Sequence, residues 1–249
     1  MADKRERADK LLVARSYFES RAAARAAIEA GRVTANGVTV EKPSAMIDVS
    51  AEIEAVPAHP FVSRGGVKLA HALAAFDVSV DGAVCLDIGA STGGFTDALL
   101  QAGAAHVVAV DVGRGQLHNR VRADPRVKSY QGLDARHLSA EYIHGDTRLV
   151  VVDASFISLA KLLSRPLSLV AARTQLIALF KPQFEVGRRA IGKGGLVSDA
   201  AAIPKAREAF AAWLGGEGWA VRGWTESPIT GGDGNREWLI HAVKAGDAP

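Results

Sequence analysis

Charged side chains directly follow several apolar, strand-like runs of this sequence. Asp111, Asp153 and Lys181 each stand just past a run of four or five apolar residues. A lysine at the end of a buried strand is costly unless an acceptor pairs with it. In α/β sheets, ligands bind beyond the carboxyl ends of the strands. This arrangement therefore predicts a polar site at one sheet edge, where carboxylates and at least one lysine meet.

A glycine-rich segment, D-I-G-A-S-T-G-G from Asp87 to Gly94, ends the first apolar run. Its glycines permit a tight strand-to-helix turn and the close approach of a ligand to the backbone. The spacing breaks the G-x-G-x-x-G fingerprint of dinucleotide sites, and Phe95 stands where a phosphate-binding P-loop needs lysine. The segment resembles the binding loop of S-adenosylmethionine-dependent methyltransferases. That resemblance implies cofactor contacts from Asp87, Gly89, Ala90, Ser91, Thr92, Gly93 and Gly94.

The aspartates at the strand ends suit this cofactor chemically. S-adenosylmethionine carries a sulfonium cation and an amino group, so its pocket favours carboxylates over basic side chains. Asp111 lies 24 residues after Asp87 and fits a carboxylate on the ribose hydroxyls. We expect Asp134 to accept from the adenine amino group and Asp153 to line the same pocket. One such aspartate is usually a cap or turn residue, whereas four at successive strand ends indicate a cofactor site.

Four charged residues occur in the order Lys68, Asp153, Lys181 and Glu237. That order resembles the K-D-K-E tetrad of the FtsJ-like ribose 2′-O-methyltransferases. With the glycine-rich segment and the K-P-Q-F-E-V-G stretch that begins at Lys181, the chain resembles the TlyA family throughout. The resemblance implies methylation of a ribosomal-RNA cytidine at the ribose 2′ oxygen. It also implies that Phe156 lies against the cofactor, with a place in the core as the alternative.

The four residue types make chemical sense together. A ribose hydroxyl is a poor acid, so its methylation needs a base or a cation that stabilises the developing alkoxide. A desolvated lysine beside a second cation gives up its proton more readily. We expect Lys181 to take this role and Lys68 to tune it, while Asp153 and Glu237 orient the lysines. The alternative for any single member is a structural ion pair.

The first part of the chain predicts a small helical region rich in basic residues. Leu11, Leu12 and Phe18 mark the apolar side of a first helix. Ser20 is expected to cap a second helix that runs to Ala30 and closes at Gly31. Residues 4–32 hold eight basic and four acidic side chains, an excess that suits phosphate. A solvated helical face with i,i+4 ion pairs is the alternative.

Asn36-Gly37 lies between β-forming residues and predicts a tight hairpin, because both turn positions need positive φ. Two short helices followed by a hairpin resemble the S4 RNA-binding domain over about residues 5–56. A helix–hairpin dimerisation module is the alternative.

A second basic segment, rich in glycine, follows Val186 and suits backbone phosphate, although it could equally be a plain surface loop. The residues expected to contact RNA are Arg5, Arg7, Arg21, Arg25, Arg64, Arg188 and Arg189.

Strand-like runs alternate with helical stretches after residue 61, which predicts an α/β fold with a largely parallel sheet. The runs are Val84–Ile88, Val107–Val110, Val127–Tyr130, Leu149–Val152, Leu176–Phe180, Trp219–Trp224 and Glu237–Val243. We therefore expect a doubly wound, Rossmann-like class I methyltransferase domain over residues 62–249. It follows a small α+β domain over residues 1–56 and a linker over 57–61, which Pro57 and Pro60 stiffen.

Two features bear on differences within the family. Some members carry an Arg-x-Trp-Val linker that couples the domains, whereas residues 59–62 here read His-Pro-Phe-Val and lack the arginine. The chain ends six residues after Val243, which points to the members that modify only the large-subunit RNA. The charged lead from Ala2 to Glu6 points the other way.

Composition excludes several classes of protein. The 249 residues are 48% hydrophobic and 23% charged, which indicates an ordinary globular protein. Cys85 is the one cysteine, so a disulfide framework and a cysteine-based zinc site are excluded. The histidines lack metal-ligand spacing, and we expect no metal. The charged start does not fit a secretory signal, and no uncharged run is long enough to span a bilayer. We expect a soluble, cytoplasmic protein.

Three functions from different classes remain open at this point. The first is an RNA ribose methyltransferase, and the second is a ribosome-associated binding protein that keeps the fold without catalysis. The third is a pore-forming haemolysin, a label that the TlyA family often carries. The complete tetrad favours the first over the second. The lack of a spanning segment or a strongly basic amphipathic helix weighs against the third.

Overall fold

The computed structural model describes residues 4–246. The chain divides between Pro60 and Phe61 into two compact units. The charged lead that begins at Ala2 lies partly outside the described residues, and so does the end of the chain.

In its described part, from residue 4 to residue 60, the first unit contains two helices and five short strands. Strands β1 and β4 pair in an antiparallel two-stranded sheet, while a second sheet has the order β3-β2-β5. The elements are β1 (Arg5–Arg7), α1 (Ala8–Ala14), α2 (Arg21–Glu29), β2 (Val33–Ala35), β3 (Val38–Thr39), β4 (Met46–Asp48) and β5 (Ile53–Ala55).

Local residue chemistry sets the ends of these helices. Ser20 caps α2 as predicted, because its side chain accepts from the backbone N–H of Ala23 at 3.2 Å. The prediction that Phe18 lies on the first helix is wrong. Helix α1 ends at Ala14, and Ser16 takes a positive φ of 59° that breaks the helical path. Phe18 reaches the same apolar core from the loop, where it is buried.

The predicted hairpin is present between β2 and β3. Asn36 and Gly37 have φ of 51° and 75°, the left-handed conformation that a type I′ turn requires at both positions. The side-chain oxygen of Asn36 also accepts from the N–H of Glu52 at 2.8 Å, so the turn is tied to the segment before β5.

The second unit, described from Phe61 to residue 246, is a seven-stranded sheet with helices on both faces. A few short 3₁₀ turns connect its elements. The elements are α3 (Arg64–Ala75), β6 (Val84–Ile88), α4 (Gly94–Gln101), β7 (His106–Asp111), α5 (Asn119–Arg122), β8 (Val127–Gln131), β9 (Thr147–Val152), α6 (Leu159–Leu169), β10 (Gln175–Phe180), α7 (Ala202–Gly216), β11 (Trp219–Glu226) and β12 (Trp238–Lys244).

The strand order is β11-β12-β10-β9-β6-β7-β8, and β12 alone runs against the others. The predicted doubly wound α/β fold is confirmed, and each predicted strand agrees with a structural strand to within two residues at either end. The chain moves outward from β6 to β8 on one side and from β9 to β10 on the other. The switch of direction between β6 and β9 is where such sheets bind ligands.

Apolar side chains fill both faces of this sheet. One core lies between the sheet and helices α6 and α7, and the other lies between the sheet and helices α3 and α4. Burial on both faces explains why the central strands are near-continuous apolar runs rather than alternating ones. Over residues 4–246, no helix combines the length and apolar character needed to cross a bilayer.

Candidate active site

The four charged residues that the sequence orders as a tetrad form two lysine–carboxylate pairs. Lys68 extends from α3 and donates to Oε2 of Glu237, which stands just before β12. Lys181 follows β10, and its Nζ lies 2.6 Å from Oδ1 of Asp153, just past β9. Nζ of Lys181 also donates to Oγ of Ser155 at 2.9 Å. Segments far apart in the chain thus bring opposite charges together at the carboxyl edge of the sheet.

The two pairs are adjacent and influence each other. Phe180 pairs with Trp238 in the antiparallel strands β10 and β12. Lys181 and Glu237, the next residue beyond each strand, therefore lie side by side at the same edge of the sheet. Burial raises the pKa of Glu237, and the positive charges of Lys68 and then Lys181 act in the opposite direction. Removing one partner of a buried ion pair leaves an uncompensated charge, a loss of about 3–5 kcal/mol. The geometry therefore ties the two lysines and two carboxylates into one unit.

The glycine-rich loop after β6 lies directly against the end of β9. Gly89 has φ of 82°, and a Cβ at this position would lie 2.6 Å from the carbonyl oxygen of Asp153. Gly93, with φ of 91°, begins α4. Glycine is needed at position 89 for both reasons, since a side chain would strain the turn and push the strand ends apart. A small cavity of about 260 Å³ joins this loop to Asp153 and Lys181.

A larger cavity of about 970 Å³ opens on the other side of the same loop. That volume is at the upper end of the ~300–1,000 Å³ typical of ligand pockets. The predicted site residues among its lining are Gly89, Ser91, Asp111, Asp134, Asp153, Phe156 and Arg188. Ala90, Thr92 and Gly94 line the small cavity instead, and Gly89, Ser91 and Asp153 line both. Gly93, which was predicted to contact the cofactor, lines neither cavity and packs against Leu117 and Val121.

Two of the aspartates in the large cavity also hold backbone or side-chain donors. Asp111 accepts from the N–H of Ser91 at 2.7 Å and from that of Gly113 at 2.6 Å, so it fixes the glycine-rich loop. Asp134 accepts from the guanidinium of Arg136, which lowers the pKa of Asp134. The guanidinium of Arg136 therefore holds Asp134 ionised, and the two backbone donors orient Asp111 at the cavity wall, where both would offer oxygens to a ligand.

Asp87 occupies a different place from the one predicted. Its side chain is fully buried and lines neither of the two cavities. Oδ2 accepts from Oγ1 of Thr96 at 2.6 Å, and Oδ1 has no hydrogen-bond partner within residues 4–246. Burial raises the pKa of Asp87 to about 7, with smaller contributions from the charges of Asp153 and Asp111. Asp87 thus supports the glycine-rich loop from beneath.

Phe156 is the most exposed large apolar side chain near the site. It is 91% exposed, so the alternative of a core position is wrong. Its φ of 67° is rare for a residue with a side chain, and its ring lies 5.2 Å from that of Phe184. A strained, exposed aromatic residue on a cavity wall is typical of a ligand-contacting position.

Sequence reasoning missed Glu185, which joins the segment after β10 to the start of α6. Glu185 accepts from the N–H of Leu159, the first residue of α6, at 2.8 Å. Burial raises the pKa of Glu185 to about 7. The sequence shows Glu185 four residues after Lys181. Its partner, the backbone N–H of Leu159, is 26 residues away, and nothing in the sequence indicates that the two meet. Arg136 and Lys161 also line the large cavity and were not predicted.

The predicted RNA contacts occupy several places. In the second unit, Arg64 is exposed and donates to the carbonyl of Thr230, and Arg188 lines the large cavity. Arg189, beside Arg188, is exposed. In the first unit, Arg5 and Arg25 are exposed. Arg7 and Arg21 form ion pairs with Asp9.

Both units match known families. The model of the FtsJ-like methyltransferases matches residues 61–244, and the model of the S4 domain matches residues 6–53. The chain is 42% identical over 239 residues to the 16S/23S rRNA (cytidine-2′-O)-methyltransferase TlyA of Mycobacterium tuberculosis, covering 95% of this chain and 89% of that one.

Two further proteins are similar. The 23S rRNA (cytidine-2′-O)-methyltransferase TlyA of Campylobacter jejuni is 37% identical over 185 residues, which cover 74% of this chain and 71% of that one. A solved structure from Streptococcus thermophilus, named as a proposed hemolysin, has 40% identity and a TM-score of 0.76, and covers 100% of this chain and 91% of that one.

The burial of Asp87 generates a prediction about stability. A folded-state pKa raised to about 7 means that the protonated form is favoured in the folded protein. The resulting stabilisation is present below the unfolded pKa and is lost as the pH rises towards 7. Asp87→Asn keeps an acceptor for Thr96 but cannot ionise. The free energy of unfolding of the variant, relative to that of the parent, should therefore rise by on the order of 2–4 kcal/mol between pH 4 and pH 8, as measured by thermal melts.

Asp81→Asn is the matched control, because Asp81 is an exposed aspartate just before the same strand. Its melting difference from the parent should not follow this pH dependence. A constant difference between Asp87→Asn and the parent across the pH range would contradict a buried, titrating carboxyl at this position.

Proposed function

The chain belongs to the FtsJ-like methyltransferases, in the TlyA family that joins such a domain to an S4 domain, and we propose that it transfers a methyl group from S-adenosylmethionine to the ribose 2′-hydroxyl of a cytidine in ribosomal RNA. The observation that carries this proposal is the assembled tetrad. Lys181 and Asp153 lie against the glycine-rich loop, and the Lys68–Glu237 pair lies beside them.

The residues present fit S-adenosylmethionine. Three carboxylates, Asp111, Asp134 and Asp153, line the large cavity and offer acceptors for the cofactor's amino and hydroxyl groups. Three basic side chains on the same wall, Arg136, Lys161 and Arg188, offer donors for its carboxylate. The positive φ of Gly89 and its missing side chain let the loop backbone pack directly against the backbone of Asp153, which brings the loop and the strand end to the same cavity wall. When bound, the cofactor supplies an electrophilic methyl group on a positively charged sulfur.

Individual residues would hold the cofactor as follows. Asp111 offers its carboxylate to the ribose hydroxyls, Asp134 accepts from the adenine amino group, and Phe156 lies against the bound cofactor. Gly89 and Ser91 line both cavities and would contact the cofactor from the glycine-rich loop. Asp87 contributes from beneath the loop, through Thr96, rather than by direct contact.

Lys181 is the residue that would act on the ribose hydroxyl. Lys181 forms an ion pair with Asp153 and donates a hydrogen bond to Ser155, so its amino group is held at the edge of the small cavity, where a substrate oxygen would meet it. As the free amine, Lys181 would take the hydroxyl proton. As the ammonium, it would stabilise the alkoxide that develops. The buried Lys68–Glu237 pair adds no net charge and holds the neighbouring strand end in place.

We infer that the large-subunit RNA is a substrate, because the two TlyA relatives described above are both named for 23S rRNA, one of them for 16S rRNA as well. The exposed arginines of the first unit and the basic residues around the large cavity supply phosphate contacts. A ribosomal substrate makes the cytoplasm the site of action.

The catalytic role of Lys181 is tested by two substitutions. Lys181→Ala should lower the methyl-transfer rate by about 10²–10⁴-fold while cofactor and RNA binding remain, because the interaction is made chiefly in the transition state. Lys181→Arg should not restore the rate, since a guanidinium cannot give up its proton. Single-turnover assays with labelled S-adenosylmethionine measure both. Lys205→Ala, at an exposed lysine of α7, is the control.

A fully active Lys181→Arg enzyme would show that Lys181 acts only as a fixed positive charge. Mapping of ribose methylation separates an enzyme from an inactive binder. Ribosomal RNA from cells that lack this gene should miss one or more cytidine 2′-O-methyl groups, which the parent gene restores and the Lys181→Ala gene does not. Identical methylation in all these cells would overturn the proposed function.

Cofactor binding has its own test at Asp111. Asp111→Ala should weaken S-adenosylmethionine binding by about 1.5–3 kcal/mol, because a charged hydrogen-bond acceptor is lost and the loop N–H groups lose their partner. Isothermal titration calorimetry on the full chain measures the change, with Asp81→Ala as the control. Unchanged affinity would remove Asp111 from the cofactor site.

A further inference from the structure

Asp9 is a buried carboxylate in the first turn of α1, with no exposed surface. Its neighbours along the helix, Ala8, Leu11 and Leu12, belong to the apolar core of the first unit. Burying a carboxylate is costly unless positive groups and hydrogen bonds compensate it. Arg7 and Arg21 provide both.

The two arginines converge on Asp9 from different elements. Arg7, at the end of β1, donates from Nε to Oδ1 at 3.0 Å and from Nη2 to Oδ2 at 3.1 Å. Arg21, the first residue of α2, donates from Nη2 to the same Oδ2 at 2.6 Å. Because both Nη2 atoms share one acceptor oxygen, the two guanidinium groups are held side by side.

This arrangement exceeds what Asp9 itself requires. Arg7 alone already reaches both carboxylate oxygens with a two-pronged contact. The second guanidinium brings a like charge close to the first, which is unfavourable unless an anion compensates it. The hydrogen bond from Arg7, and then those from Arg21, lower the pKa of Asp9, so the three groups together carry one net positive charge.

Both arginines keep part of their surface for a ligand. Their side chains are 40% and 52% exposed. Across residues 4–246, the Nη1 groups of Arg7 and Arg21 make no hydrogen bond. A guanidinium presents its donors in a planar fork that matches two oxygens of a phosphate group. Two such forks fixed on one anchor offer their remaining donors to a single anion.

We propose that Asp9 is a positioning residue that holds Arg7 and Arg21 as one clamp for a single backbone phosphate of the RNA. The proposal rests on the RNA substrate proposed above. Unrestrained arginine side chains lose rotamer entropy when they bind phosphate. Because Asp9 already holds Arg7 and Arg21 in place, RNA binding costs less of this entropy. Arg25, one turn further along α2, is exposed, and within residues 4–246 it forms no hydrogen bond or ion pair with Asp9, so it would bind independently of the clamp.

The first test sets two opposing effects against each other. Asp9→Asn and Glu29→Gln each remove one negative charge from the first unit, and Glu29 is an exposed residue at the end of α2. Long-range electrostatics alone would make both variants bind RNA at least as tightly as the parent. Loss of the anchor should instead make Asp9→Asn bind purified ribosomal RNA about three- to tenfold more weakly. Fluorescence anisotropy on the full chain measures both.

A coupling test identifies the arginines involved. The loss caused by Asp9→Asn should vanish when Arg7→Gln and Arg21→Gln are already present, and it should persist in an Arg25→Gln background. Glutamine can still donate to Asp9, so the first unit keeps a partner for its buried carboxylate. A loss of the same size in both backgrounds would overturn the clamp.

The salt dependence of binding counts the phosphates. If Arg7 and Arg21 share one phosphate, the double glutamine variant should flatten the log–log salt slope by roughly 0.7–0.9, the value for one contact. A decrease of about twice that size would mean two separate contacts and would overturn the clamp. This measurement does not use Asp9→Asn, so it decides the question even if thermal melts show that this variant unfolds.

Failure of the clamp and failure of the proposed function give different results. A parent chain that does not bind ribosomal RNA would overturn both. Parent binding that Asp9→Asn leaves equal to that of Glu29→Gln would overturn the clamp alone, and methyl transfer would continue to depend on Lys181.

Discussion

The pairing of two lysines with two carboxylates is the interaction on which the candidate site depends. Lys68, Asp153, Lys181 and Glu237 come from a helix, two parallel strand ends and the start of an antiparallel strand. Each charge would be costly at the edge of a dry, apolar sheet, and each becomes tolerable through its partner. The glycine at position 89 is part of the same constraint, since a side chain there would separate the strand ends.

The strands could be predicted from the sequence because this sheet is buried on both faces. Continuous apolar runs then mark each strand, and the charged residues that follow them mark the edge where ligands bind. Lys181 and Asp153 were found in this way. Their assignment as a tetrad with Lys68 and Glu237 required the family resemblance, because Lys68 lies in a helix whose sequence does not show which way it faces.

Other features depend on three-dimensional contacts that leave no local pattern. Phe18 is buried from a loop, and its apolar character alone made it look like a helix residue. Asp87 ends a strand as the cofactor aspartates do, but its carboxyl turns inward to Thr96. Glu185 joins the loop after β10 to the first residue of α6, a contact between segments that the sequence gives no reason to connect. Nothing in the sequence indicates that Arg7 and Arg21 both form ion pairs with Asp9.

Both units use carboxylates to orient positive groups, in a chain whose net charge is only +3. The pairs are Lys181 with Asp153, Lys68 with Glu237, Arg136 with Asp134, and Arg7 and Arg21 with Asp9. Unpaired basic residues in equal number would attract any polyanion over long distances, in a manner that salt screens. A cation held by a carboxylate has less long-range attraction but a fixed direction for its remaining donors. The low net charge is therefore consistent with a protein that recognises the geometry of its RNA substrate more than its total charge.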